Sequence, residues 1–104
     1  MVDFTLNILG KDIPILFKDA VSSEDGSIYR GVFLVDKYNE PTIEVSKSAN
    51  MVKKQIEQTL LHEALHAVLW RIGIHNTNLS REIEEIIVDN IATFLVENWS
   101  FSLK

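Results

Sequence analysis

The chain has 104 residues, with 15 acidic and 10 basic side chains, a net charge of -5, 46% hydrophobic content and no cysteine. That length suits one domain, the apolar fraction excludes a disordered or collagen-like chain, and the acidic balance argues against non-specific nucleic-acid binding. Without cysteine there are no disulfides, Fe–S clusters or thiolate zinc sites, so any metal must be held by His and carboxylate.

Phe4, Leu6 and Ile8 alternate with Thr5 and Asn7, the period-2 signature of a half-buried strand. The same start lacks the basic region of a signal peptide, and no run approaches 18 apolar residues. No membrane contact and a cytoplasmic location are therefore expected. Leu9-Gly10-Lys11-Asp12 supplies a turn, so 3–18 reads as a hairpin, with Pro14 marking its second strand as edge or bulged. Ser22 to Ser27 reads as a polar loop. Tyr29–Val35 and Thr42–Val45 complete a predicted set of four strands.

A helix is predicted from about Asn50 to Ile72, capped by Ser48 or Asn50 and stopped at Gly73. Lys53, Lys54 and Glu57 should face water in its first half. In its second half Leu60, Leu61, Ala64, Leu65, Ala67, Val68, Leu69 and Ile72 surround the axis, which predicts burial on nearly all sides. A second helix should run from Ser80 to about Trp99, with Glu82, Glu84 and Glu85 favouring its N-terminal dipole. The short 73–79 connection predicts an antiparallel helical pair. The expected fold is thus α+β: one domain over 1–104, β-rich over 1–48 and helical over 49–104, with a four-stranded sheet packed on two antiparallel helices.

His62-Glu63-Ala64-Leu65-His66 forms an HExxH pattern inside the apolar helix. The i, i+4 spacing puts both imidazoles on one face about 6 Å apart, so they can share an ion. Glu63 projects about 100° away and can reach a metal-activated water without being a ligand. A chance match in a chain this long occurs roughly 0.2% of the time. Burying three ionisable groups without partners would also cost several kcal/mol. The bland alternative is a pair of hydrogen-bonded core histidines.

Two histidines leave the metal short of a ligand. Position 72, where a third helix histidine would complete a metzincin-type pattern, is Ile. Counting about 1.5 Å per residue from the connection makes Glu85 level with His66 and Asp89 level with His62. Glu85 is the expected third ligand and Asp89 the expected acceptor for an imidazole N–H. Glu84 competes for the ligand role, although its wheel position among Val88, Ile91 and Leu95 points it into the apolar arc. His75, Tyr29 and Tyr38 are remoter candidates for stabilising an oxyanion, and Trp70, Trp99, Phe94 and Phe101 read as packing aromatics.

HEALH followed after 18 residues by Glu85-Ile86-Ile87-Val88-Asp89 resembles the gluzincin pattern HExxH…ExxxD. More narrowly, the stretch 40–100 resembles the small ImmA/IrrE-like metallopeptidases and related short phage or prophage proteins; Val88 stands where they usually carry Ala. The resemblance implies a minimal zincin-like fold. It also implies one Zn²⁺ per chain on His62, His66 and Glu85, Glu63 as general base, and cleavage of an intracellular protein substrate. Such a substrate could lie along the strand at 42–46, expected to be an edge. Two rival expectations stand beside it: a zinc-stabilised, catalytically silent module that captures a protein partner, and a metal-free structural domain. The sequence indicates no oligomeric state.

Overall fold

The first hairpin turns on two residues. Leu9 (φ 50°) and Gly10 (φ 86°) both take positive φ, the conformations a two-residue turn needs to match the twist of its strands. Asn7 braces it, its Oδ1 accepting from Gly10 N–H at 3.2 Å and its Nδ2 donating to Asp12 at 2.9 Å. The computed structural model describes residues 4–19, 21–22, 28–47, 52–73 and 80–98. Its elements are β1 (Phe4–Ile8), β2 (Lys11–Lys18), β3 (Val21–Ser22), β4 (Ile28–Tyr29), β5 (Gly31–Val35), β6 (Pro41–Ser46), α1 (Lys53–Arg71) and α2 (Arg81–Asn98). The architecture is α+β, as the sequence predicts.

Four strands form one mixed sheet in the order β1-β2-β6-β5, while β3 and β4 pair as a separate ribbon. The β1–β2 and β5–β6 pairs are antiparallel and β2–β6 is parallel. This order corrects two expectations. β2 is central despite Pro14; its pairing with β6 starts only at Ile15, so the missing proline N–H faces no ladder. The strand at 42–46 is likewise internal, paired to β2 on one side and β5 on the other. Among the described residues, the two edges of this sheet are β1 and β5.

The core follows from strand alternation. Ile13 and Ile15 of β2 and Ile43 and Val45 of β6 are 0% exposed, being every second residue on one face of the pleat. α1 packs on β1, β5 and β6, adding Ile56, Leu60 and Ala67 to this core. Each buried Ile, Leu or Val side chain contributes about 1.5–3 kcal/mol. No residue of α1 from Gln55 to Trp70 is exposed, but Leu61, Ala64, Leu65, Val68 and Leu69 are only half-buried and Ile72 is exposed, short of the burial on nearly all sides expected for this half. Glu57 is buried where a solvent-facing acid was expected; its carboxylate lies 3.7 Å from Lys53 Nζ. The N-cap is Val52, whose N–H donates to Gln55 Oε1 at 3.1 Å; Ser48 and Asn50 lie outside the described residues. At the other end Gly73 (φ 88°) supplies the expected left-handed stop.

α2 packs on α1 through Val88, Ala92 and Val96. Cross-helix contacts run in opposite directions along the two chains: Gln58 with Thr93, His62 with Asp89 and His66 with Glu84. The pair is therefore antiparallel. No helix among the described residues is long and apolar enough to cross a membrane.

Candidate metal centre

One turn of α1 and the N-terminal half of α2 bring the motif together. His62 and His66 share a face because they are four residues apart, and antiparallel pairing lowers Glu85 onto them. Glu85 Oε2 lies 3.2 Å from His62 Nε2, and its Oε1 lies 2.9 Å from His66 Nε2. The two Nε2 atoms are 3.2 Å apart. Atoms bonded at about 2.0–2.1 Å to a tetrahedral ion stand about 3.3 Å from one another. The two short contacts use different oxygens of Glu85; taking one donor atom from each residue, the three lie within 4.8 Å of one another, and the group could hold a metal ion.

The outer nitrogens of the two rings have carboxylate neighbours. His66 Nδ1 meets Glu84 Oε2 at 2.6 Å, and both residues are buried. A buried carboxylate facing a ring nitrogen at that distance calls for a proton on the nitrogen. His62 Nδ1 lies 3.6 Å from Asp89 Oδ1, beyond hydrogen-bond range, and Asp89 is exposed. With a proton on His66 Nδ1, the neutral ring turns a lone pair toward Glu85 and His62. Lone pairs so close repel unless a proton or a cation sits among them, and a divalent ion satisfies all three donors at once.

Glu63 departs from this face as the helical angle predicts and points to β5. Its carboxylate accepts a hydrogen bond from the backbone N–H of Phe33. That N–H is available because Arg30 is bonded to Ser46 of β6, and alternate residues of an antiparallel strand turn their amides outward. Gly31 permits the approach. A Cβ there would stand 2.6 Å from Thr59 Cγ2, 3.1 Å from Glu44 O and 3.3 Å from Glu63 Cγ, so a larger residue would force its neighbours to shift. Burial raises the Glu63 pKa from 4.5 to about 7; the nearby His62 charge opposes this and the Glu85 charge adds to it.

His62, His66 and Glu85 therefore come together as expected, with Glu63 beside them and Asp89 near His62. Glu84 has a different place from the ligand position it was weighed for, on the outer nitrogen of His66. Its inward wheel position was the sequence signal, since a carboxylate aimed into an apolar arc needs a partner. Gly31 and the Phe33 amide carried no motif and were missed. Tyr38 is exposed at the β5–β6 turn, and Trp70 packs edge-on against Phe33 at 5.7 Å. Phe94 is 55% exposed, which leaves it outside the core. His75, Trp99 and Phe101 lie outside the described residues. Comparison with protein-family models, curated proteins and solved structures finds no match.

Proposed function

We propose that the chain is a zinc-dependent metalloendopeptidase of the small gluzincin, ImmA/IrrE-like kind, acting on an intracellular protein. The observation that carries this reading is the His62–His66–Glu85 triangle with a buried carboxylate, Glu63, one residue from the first ligand. His62, His66 and Glu85 would hold a Zn²⁺ ion, which would supply Lewis acidity toward water and a peptide carbonyl. Glu63 takes the proton of the attacking water on its carboxylate and passes it to the leaving amide nitrogen. The peptide lies in extended form along the edge of β5, where Gly31 and Val35 turn their main-chain groups outward on either side of the Phe33 amide that Glu63 holds.

The test is cleavage of an unstructured peptide library by the purified, zinc-loaded chain, read by mass spectrometry. Glu63→Gln should retain zinc and lose about 10²–10⁴-fold in rate; undiminished cleavage by that variant would refute the assignment.

A second reading has one observation in its favour. Ile83, Ile86, Ile87 and Ile91 of α2 are 40–62% exposed, an apolar surface that suits a zinc-stabilised module capturing a protein partner. Stoichiometric zinc, no cleavage of any peptide, and partner binding indifferent to Glu63→Gln would support it instead.

A further inference from the structure

Glu84 sits where a charged residue is costly. It is 5% exposed, on the face of α2 that carries Val88 and Ala92 against α1. A carboxylate removed from water there needs a strong donor, and His66 Nδ1 at 2.6 Å is placed to be one. This contact also settles which edge of the imidazole faces the other ligands. With Nδ1 turned to Glu84, Nε2 faces His62 Nε2 at 3.2 Å and Glu85 Oε1 at 2.9 Å. The same geometry keeps Glu84 out of the metal-binding face, because its Oε2 is engaged on the opposite side of the ring. The other histidine is held more loosely: Asp89 is 3.6 Å from His62 Nδ1, with a side chain 64% exposed.

We infer that Glu84 is a positioning residue for the metal centre, accepting the His66 Nδ1 proton and so fixing the ring with Nε2 bare toward His62 and Glu85. The inference rests on the metal-binding reading. It goes further in assigning unequal roles to the two acids near the rings: Glu84 holds its histidine from a buried position, and Asp89 only adjusts its own from the surface. Outer hydrogen-bond partners of ligand imidazoles are worth about 10–100-fold in metal affinity, and a buried acceptor belongs at the upper end.

Two measurements test it. Long-range ¹H–¹⁵N NMR of the wild-type chain should show a proton on His66 Nδ1 in both metal-free and zinc-loaded protein. A metal-free ring protonated on Nε2 alone would overturn the inference. Zinc affinity is then measured by competition with a chromophoric chelator for the wild type, Glu84→Leu and Asp89→Asn. Glu84→Leu fills the same space without an acceptor. It should bind zinc 10–100-fold more weakly and show His66 protonated on Nε2 when metal-free, whereas Asp89→Asn should lose less than tenfold. Wild-type affinity and an unchanged tautomer in Glu84→Leu would overturn the inference. If Glu84→Leu fails to fold, the wild-type tautomer still decides. If the wild type binds no zinc, the metal-binding reading fails separately, because the Nδ1 proton is observed without metal.

Discussion

α1 has two seams, and different forces hold them. Toward the sheet it meets Ile13, Ile15, Ile43 and Val45, all fully buried, and seals them with Ile56, Leu60 and Ala67. Toward α2 the buried apolar residues are the smaller Val88, Ala92 and Val96, and the seam also holds polar groups: His62, His66, Glu84 and Glu85, with Gln58 hydrogen-bonded to Thr93 at 2.9 Å. Apolar burial is non-directional and needs no ligand, whereas clustered donors of one kind need a cation or protons to be satisfied. The sheet seam therefore supplies a stable platform. The helix seam carries a group that could hold a metal ion, and on the proposed reading its stability depends on what binds there.

The sharpest way to separate the seams is to damage the first alone. Ile43→Ala empties a fully buried position, so it should cost about 2–5 kcal/mol in urea unfolding. The loss should be equal with and without zinc, because no metal ligand touches the cavity. A loss that zinc abolishes would mean that the two seams are not independent.

Glu63 lies where the seams meet, and its titration reports on both. Its folded-state pKa is raised to about 7 from 4.5, so folding favours the protonated form. The metal-free protein should hold this contribution in full below pH 4.5 and lose it as pH climbs toward 7. The total loss is roughly 3 kcal/mol, taking about 1.4 kcal/mol per unit. In Glu63→Gln that slope should vanish from the stability–pH curve. Zinc should also flatten it in the wild type, because a nearby cation favours the carboxylate. A slope unaffected by either change would place Glu63 away from the metal.

The smallest of the three effects belongs to the helix seam itself. Zinc at a hundred times its dissociation constant should stabilise the wild type by about 2.7 kcal/mol. His66→Ala should remove that gain while leaving the response to Ile43→Ala intact. Hydrogen exchange should show the added protection concentrated in α2 and the facing turns of α1.

Local signals explain what could be read in advance. Helical period, Gly73 and the HExxH spacing depend on residues near one another in sequence, and they located α1, α2 and the metal face. Rise per residue was enough to match Glu85 with His66 and Asp89 with His62 across the helix pair. Strand order is not local. Nothing near 42–46 announces that β2 and β5 will flank it, and Pro14 gave a false edge signal because its unpaired side happens to lie just before the β6 ladder. The burial of Glu57 escaped because it was grouped with Lys53 and Lys54 on a water-facing side, and only those two are exposed. Glu84 was legible as inward-pointing, but its partner was visible only once the two helices were in register.

The most direct test of the claim that two imidazoles and an α2 carboxylate share one ion is zinc K-edge absorption spectroscopy on protein of measured metal content. One zinc per chain should be found, with two imidazole nitrogens and carboxylate oxygen at about 2.0–2.1 Å, and both should be lost in His66→Ala. Substoichiometric zinc, or an imidazole count unchanged by that substitution, would contradict it.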